Sequence, residues 1–151
     1  MKLSPFLSES KIFVDFEAKN KLNFFSRCVD AIVKDHPEFD REEVLDLFLK
    51  REETMSTGIG KGIAIPHIVY SKCKNHEIYV FKLKNPIDFN ALDGKPVSLL
   101  FVVIGNEAKS NLIHLQILAK LARLLKKSDF VSKLLSCKTN KEILEIIKEY
   151  E

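Results

Sequence analysis

The chain has 151 residues, of which 46% are hydrophobic and 30% are charged. This length predicts one domain, and the composition is typical of globular proteins. The net charge of +3 arises from 24 basic and 21 acidic residues that are interleaved along the chain. Because the basic residues form no block, the sequence predicts no nucleic-acid partner. No apolar run approaches the roughly 20 residues of a membrane-spanning helix, so membrane insertion is not expected either.

The cysteines and the N-terminus bear on the compartment. Three cysteines, at positions 28, 73 and 137, are widely spaced and odd in number, which argues against a disulfide framework. Residues 1–5 are followed by polar residues rather than by the apolar core of a signal peptide. We therefore expect a cytoplasmic location.

The N-terminal part of the chain predicts two helices after a short extended segment at residues 12–16. Apolar residues recur at helical spacing over residues 19–34. Asp40, with Glu43 three residues later, forms a capping box for a second helix that ends near residue 53. The residues expected to be buried are Leu22, Phe25, Val29, Ile32 and Val33 on the first helix and Val44, Leu45, Phe48 and Leu49 on the second.

The middle of the chain changes to the strand period. Residues 62–69, 77–83 and 97–104 form short segments rich in β-branched and aromatic residues. The last segment is almost continuously apolar, which is typical of a central strand covered on both faces. Gly105 is expected to end that strand.

The helical period returns over residues 110–126, and a short helix is expected over residues 130–135. Thr139, with Glu142 three residues later, caps a last amphipathic helix. The stripe predicted for the long helix is Leu115, Leu118, Leu121, Ala122 and Leu125. Helices, then strands, then helices around one apolar sheet indicate a single α/β domain over residues 1–151.

The most informative segment is residues 56–67, which read STGIGKGIAIPH. Three glycines in five residues permit positive φ angles and close backbone approach. The run from Ile63 to Ile65 predicts a buried strand, and Pro66 is expected to stop its pairing. His67 then follows a rigid strand beside a flexible loop, where an imidazole is well placed for chemistry. A histidine after a strand is also a common surface residue, and both interpretations stand at this point.

Three motifs in this order resemble the EIIA domains of the phosphoenolpyruvate-dependent phosphotransferase system, in the fructose, mannitol and nitrogen-regulatory class. The first motif runs from Arg51-Glu52 through the segment just described. The second is residues 86–97, PIDFNALDGKPV, and the third is residues 114–122, HLQILAKLA. The resemblance covers nearly the whole chain and implies a mixed central β-sheet flanked by helices.

The resemblance implies roles for three side chains. His67 would be the phosphorylated nucleophile, through Nε2, since a neutral ring nitrogen is nucleophilic near pH 7. His114 would be a second histidine that packs against the first and donates a hydrogen bond to the phosphoryl group. From its position alone, His114 is instead a histidine at the edge of the core, hydrogen-bonded to the backbone. Arg51 would contact the phosphoryl group or a partner; the alternative is a solvated charge at a helix C-terminus.

Other polar residues carry weaker signals. Ser56, Thr57 and Gly58 either donate hydrogen bonds to the same phosphoryl group or only form the turn. His36 is expected to be an exposed loop residue. Cys73 and His76 have Cys-x-x-His spacing, but no second pair completes a tetrahedral site, so neither a metal nor another cofactor is expected.

Two positions depart from the family pattern. His67 is followed by Ile68-Val69 where the family usually has a small residue and then a basic one, and Met55 stands where glycine is usual. These changes predict an apolar rim around the site, with Ile68 and Val69 in a docking surface. They bear on which partner docks rather than on the chemistry of His67.

The resemblance therefore predicts a phosphohistidine carrier rather than an enzyme that turns over a small molecule. HPr, or a nitrogen-branch protein like it, would be the donor, and an EIIB domain or a regulated protein would be the acceptor or partner. Residues 3–7 and the second motif are most similar to the nitrogen-regulatory branch, and we expect no fused EIIB or membrane segment; both points favour a regulatory role. The alternatives are a free-standing fructose- or mannitol-type EIIA that feeds an EIIB in sugar uptake, and a binding module that has kept the fold without phosphorylation.

Overall fold

The computed structural model describes residues 1–106 and 111–151. Two short 3₁₀ turns, Ser4–Phe6 and Glu9–Lys11, precede the first strand. The strands and helices that follow are β1 (Ile12–Phe16), α1 (Lys21–Asp35), α2 (Arg41–Thr54), β2 (Gly58–Gly60), β3 (Ile63–Ala64), β4 (His67–Tyr70), β5 (Glu77–Ile87), β6 (Val97–Asn106), α3 (Asn111–Leu125), α4 (Ser128–Ser136) and α5 (Asn140–Tyr150). Position 110, where the sequence starts the long helix, lies outside the described residues.

The six strands form one mixed sheet in the order β1-β5-β6-β3-β2, with β4 also paired to β6. Strand β6 is antiparallel to β5 and parallel to both β3 and β4. The two short strands occupy successive lengths of the same edge of β6, with Ile63 opposite Leu99 and His67 opposite Val103. The predicted α/β domain with a mixed central sheet is confirmed.

Apolar residues cover both faces of β6, as its sequence predicts. Leu100, Val102 and Ile104 belong to the core beneath α1 and α2. The alternate residues from Leu99 to Val103 belong to the core beneath α3, α4 and α5. Since successive side chains of a strand point to opposite faces, one apolar run supplies both cores.

The predicted N-caps are present, but the reciprocal half of the box at Asp40 is not formed, because the Asp40 amide donates to the Tyr70 hydroxyl at 3.2 Å. Asp40 Oδ1 accepts a hydrogen bond from the Glu43 amide at 3.0 Å, and Thr139 Oγ1 accepts one from the Glu142 amide at 3.1 Å. Each cap satisfies an amide that has no partner within its helix, which is worth about 1 kcal/mol.

Two predicted core positions are wrong. Leu22 is 62% exposed and Leu115 is 61% exposed. Each lies two residues from a fully buried neighbour, Phe24 in α1 and Ile117 in α3. Two residues correspond to about 200° around a helix, so the leucines lie on the opposite side.

No helix within the described parts of the chain is long and apolar enough to cross a membrane.

The strand predicted over residues 62–69 is interrupted, and this changes where His67 lies. Strand β3 ends at Ala64, and β4 begins at His67. Pro66 lacks an amide hydrogen, but its carbonyl still accepts the amide of Val103 at 2.9 Å. His67 therefore begins a strand, just after the break between two strands on one edge. The predicted end of β6 at Gly105 is also wrong, because Gly105 pairs with Val69 inside the strand.

Candidate active site

A buried glutamate fixes the turn that follows α2. Glu52 Oε1 accepts the backbone amide of Thr57 at 2.8 Å, and Oε2 accepts the Thr57 hydroxyl at 2.7 Å. The ammonium group of Lys21, on α1, lies 2.7 Å from Oε1. Both Glu52 and Thr57 are buried, so these bonds compensate the cost of taking the carboxylate out of water.

Two successive hydrogen bonds connect this turn to the ring of His67. The carbonyl of Thr57 accepts the amide of Ile65 at 2.9 Å. The carbonyl of Ile65 lies 2.7 Å from Nδ1 of His67. A carbonyl oxygen can only accept, so Nδ1 carries the hydrogen, and the neutral ring has its lone pair on Nε2.

Arg51 faces that second nitrogen. Its Nε lies 3.4 Å from Nε2 of His67, and its Nη1 donates to the carbonyl of Met55 at 3.0 Å. Burial lowers the pKa of His67 below its usual 6.5, and the neighbouring guanidinium lowers it further. The imidazole is therefore neutral and nucleophilic at pH 7.

The predicted loop residues pack against the segment around Ala91. A Cβ atom built on Gly58 would lie 2.8 Å from the Cβ of Ala91, so only glycine fits without a shift. The Ser56 hydroxyl donates to the carbonyl of Phe89 at 2.6 Å, as the Thr57 hydroxyl does to Glu52. Both hydroxyls are thus engaged in holding the loop, which is the turn-forming alternative. The positive φ angles of Gly60 (94°) and Gly62 (80°) agree with the glycine pattern.

The second predicted histidine lies beside the first. His114 is in the first turn of α3, and its ring centroid is 5.9 Å from that of His67. Burial, followed by the neighbouring His67 and His76, lowers the pKa of His114 to about 4. At neutral pH the ring is uncharged and has one N–H to donate. The structure thus brings together all three residues of the predicted set.

A third histidine, which the sequence did not predict as a site residue, lies at this site. His76 is only 5% exposed, and its ring centroid is 5.7 Å from that of His114. The Cys-x-x-His spacing is unrelated to this position, since Cys73 Sγ donates to the carbonyl of Asn75 at 2.9 Å. The available signal was a histidine directly before a predicted buried strand.

An open cavity of about 290 Å³ lies against His67 and Arg51. Its rim carries three exposed apolar side chains, Met55 (60% exposed), Ile59 (47%) and Leu92 (82%). The predicted apolar rim is therefore present, but Ile68 is not part of it. Strand alternation turns Ile68 into the core, where it is 6% exposed.

A second polar cluster lies around His36, which is not the exposed loop residue that was predicted. Its ring stacks on Phe39 with centroids 4.5 Å apart and contacts the Glu77 carboxylate. His36, Asp35 and Glu77 place possible metal-binding atoms within 4.8 Å of one another. The Lys11 ammonium lies 2.7 Å from Asp35 and 2.9 Å from Glu77. With that cation between the carboxylates, the cluster is an ion-pair network.

Comparison with known families identifies the relatives of this chain. Residues 5–150 match the family model described as the EIIA 2 component of the phosphoenolpyruvate-dependent sugar phosphotransferase system. The chain belongs to this family. It is a phosphocarrier of that system, and the EIIA family works with phosphodonors and EIIB-type acceptors.

Individual relatives span the EIIA branches. A nitrogen regulatory protein of Pseudomonas aeruginosa is 32% identical over all of this chain and 97% of its own length. The fructose-specific EIIABC component of Bacillus subtilis is also 32% identical over all of this chain, but over only 24% of its own length. The crystal structure of the nitrogen regulatory protein IIA-Ntr from Neisseria meningitidis superimposes with a TM-score of 0.89 at 28% identity, over 95% of this chain and 97% of that one.

Proposed function

We propose that Nε2 of His67 accepts a phosphoryl group from a phosphorylated HPr-like protein. The observation that carries this proposal is the tautomer of His67. Its Nδ1–H donates to the carbonyl of Ile65 at 2.7 Å, which leaves the Nε2 lone pair facing Arg51. In the transfer, Nε2 forms a new N–P bond as the N–P bond of the donor phosphohistidine breaks, and the donor ring recovers its electron pair.

Arg51 and His114 stabilise the transferred group in this proposal. The Arg51 guanidinium lies on the Nε2 side of His67 and supplies a fixed positive charge to the phosphoryl oxygens. His114 supplies a neutral N–H donor from the first turn of α3, where the helix dipole also favours an anion. Ser56, Thr57 and Gly58 act indirectly, because they hold the loop beside the cavity.

The exposed apolar rim forms the docking surface for the donor. Met55, Ile59 and Leu92 surround the cavity that opens on His67. A small apolar patch suits brief association, since a carrier must release each partner after transfer. The whole of residues 1–151 acts as one EIIA domain in this proposal.

A regulatory role of the nitrogen type fits the relatives best. The nitrogen regulatory protein of P. aeruginosa matches this chain over nearly its full length, and IIA-Ntr of N. meningitidis shares the fold closely. Phosphorylation adds close to two negative charges beside an apolar surface, which would switch the binding of a regulated protein. The EIIABC relative supports the second candidate, transfer from His67 to an EIIB domain during sugar uptake.

A cytoplasmic location remains a prediction, in keeping with three buried cysteines that are free thiols.

The test is phosphorylation from phosphoenolpyruvate through enzyme I and HPr, followed by intact mass measurement. Wild type is expected to gain one acid-labile phosphate, and His67→Ala is expected to gain none. His36→Ala removes a histidine outside the site and is the matched control, with phosphorylation retained. Phosphate on His67→Ala, or none on folded wild type with a competent donor, would contradict the assignment of His67.

A second experiment distinguishes the regulatory candidate from the sugar-uptake candidate. The isolated phosphoprotein is mixed with a fructose-type EIIB domain, and the label on each protein is followed over time. Retention of the label on this chain is expected of a regulatory protein. Rapid passage of the label to EIIB would support the sugar-uptake candidate instead.

A further inference from the structure

His76 and His114 pack against the same strand position, Gly105 of β6. A Cβ atom built on Gly105 would lie 2.7 Å from Nδ1 of His114 and 2.9 Å from Nε2 of His76. Real Cβ contacts are essentially never this short, so both nitrogen atoms occupy space that a side chain at position 105 would fill. The presence of glycine in this largely apolar strand thus has a packing reason. It allows two imidazoles to approach the backbone together.

The three rings at the site are arranged with His114 as the shared neighbour. Its centroid lies 5.9 Å from that of His67 and 5.7 Å from that of His76. Nδ1 of His114 is buried at the Gly105 side. Among the described residues Nδ1 makes no hydrogen bond in the structure. Nε2 of His76 lies on the same side of the strand, since both atoms are within 2.9 Å of the position that a Cβ at residue 105 would take.

The orientation of His114 matters for phosphoryl transfer because a neutral imidazole has only one hydrogen to donate. Which nitrogen carries it depends on what the other nitrogen meets. If Nδ1 carried the hydrogen, the donor would be aimed at the backbone of β6 and lost to a phosphoryl group on His67. If Nδ1 is the acceptor, the hydrogen is on Nε2, the ring nitrogen that does not face Gly105.

We propose that His76 is a positioning residue for His114, whose Nδ1 it keeps as the acceptor by presenting its own Nε2–H across Gly105. The buried ring of His76 then fixes both the tautomer and the rotation of His114, while His76 itself contacts neither the phosphoryl group nor the donor protein. The inference rests on the proposed function, since it assigns a support to one of the residues of that site. It extends the site inward from the cavity to a residue that is 5% exposed.

Two variants of nearly equal polarity test this arrangement. His76→Gln keeps an amide N–H near the position of Nε2, whereas His76→Asn keeps a polar group only near the position of Nδ1. The tautomer of His114 is read from its ring ¹⁵N shifts at pH 7, and the phosphorylation rate is measured with phosphorylated HPr as the donor. Gly105→Ala keeps all three histidines in the sequence but adds a methyl group that must displace the rings of His76 and His114.

We expect wild type and His76→Gln to show the Nε2–H tautomer of His114 and similar rates. In His76→Asn and Gly105→Ala the tautomer should become mixed, and the maximal rate should fall about tenfold or more. KM for phosphorylated HPr should stay unchanged, because His76 is buried away from the docking rim. An unaltered His114 tautomer in folded His76→Asn would overturn the inference, as would equal rates for the Asn and Gln variants.

The tautomer measurement needs no phosphate, so it separates this inference from the proposed function. A wild type that stays unphosphorylated while the tautomer still follows residue 76 would contradict the phosphoryl role and support the positioning role. Normal phosphorylation of every variant with an unmoved tautomer would overturn the positioning role alone.

Discussion

Nε of Arg51 lies 3.4 Å from Nε2 of His67 and joins the last turn of α2 to the first residue of β4. The contact is directional because Nδ1 of the same ring is already bonded to the carbonyl of Ile65. In the unphosphorylated protein, burial first and the guanidinium second lower the pKa of His67, so the ring is neutral. After transfer, the same cation would lie beside the negatively charged phosphoryl oxygens, which it attracts more strongly than it attracts a neutral ring nitrogen.

Arg51→Lys is expected to lower the rate of phosphorylation by about tenfold to a hundredfold. A hydrogen bond to a charged group is worth about 1.5–3 kcal/mol, and a lysine cannot reproduce the planar fork of the guanidinium. The rate is measured by rapid quench with phosphorylated HPr. Lys50→Ala removes the neighbouring exposed cation and should leave the rate unchanged. A wild-type rate for Arg51→Lys would show that Arg51 does not contact the transferred group.

Glu52→Ala is expected to destabilise the fold by about 3–5 kcal/mol, the usual cost of removing one partner of a buried ion pair. The substitution removes the acceptor of the buried Thr57 amide, and it leaves the Lys21 ammonium with only the carbonyl of Phe89 among the described residues. Urea unfolding at pH 7 measures the loss. Glu53→Ala, at the next and exposed position, should change the free energy of unfolding by about 0.5 kcal/mol or less. Similar losses in the two variants would contradict the role given to the buried carboxylate.

The parts of the fold that the sequence predicts are those encoded by local pattern. The N-caps at Asp40 and Thr139, the apolar run of β6 and the positive φ angles of Gly60 and Gly62 each depend on a few neighbouring residues, and all of them are present in the structure. Two errors, at Ile68 and Gly105, arise from strand pairing. Register decides which face Ile68 occupies and whether β6 continues past position 104, and no short pattern contains that register.

The sequence predicted the residues that face the phosphoryl group but not the residues that support them. The positions of Arg51, His67 and His114 came from resemblance, and the structure brings them together. The support from Glu52 and His76 was missed for one physical reason. Each acts across the fold, Glu52 on Lys21 from another helix and His76 on a ring of α3, and sequence spacing does not record such contacts.

The pH dependence of stability should follow His114. Its folded-state pKa is about 4, below the usual 6.5. As the pH falls from about 6.5 toward 4, the unfolded chain takes up this proton before the folded one does, so folding stability declines through that window. His67, whose pKa is also lowered, contributes in the same direction.

Thermal unfolding between pH 7.5 and 4 measures this effect, and the ring titration of each histidine by NMR assigns it. His114→Gln should flatten the dependence, because the glutamine does not titrate. A His114 titration near 6.5 in the folded protein would contradict the burial-based prediction.

Leu92→Asp should weaken docking of the phosphodonor without harming the fold. Leu92 is 82% exposed on the rim of the cavity beside His67, so it contributes little to the core but is available to a partner. Loss of one apolar anchor at the centre of a small interface costs about 1–2 kcal/mol, equivalent to a fivefold to thirtyfold rise in KM for phosphorylated HPr. The maximal rate should change little, because the residue does not touch the reacting nitrogen.

The control is Leu22→Asp, which places the same charge at a 62% exposed leucine of α1, outside this cavity. An equal rise in KM for both variants would attribute the effect to charge alone and exclude the rim as the docking surface.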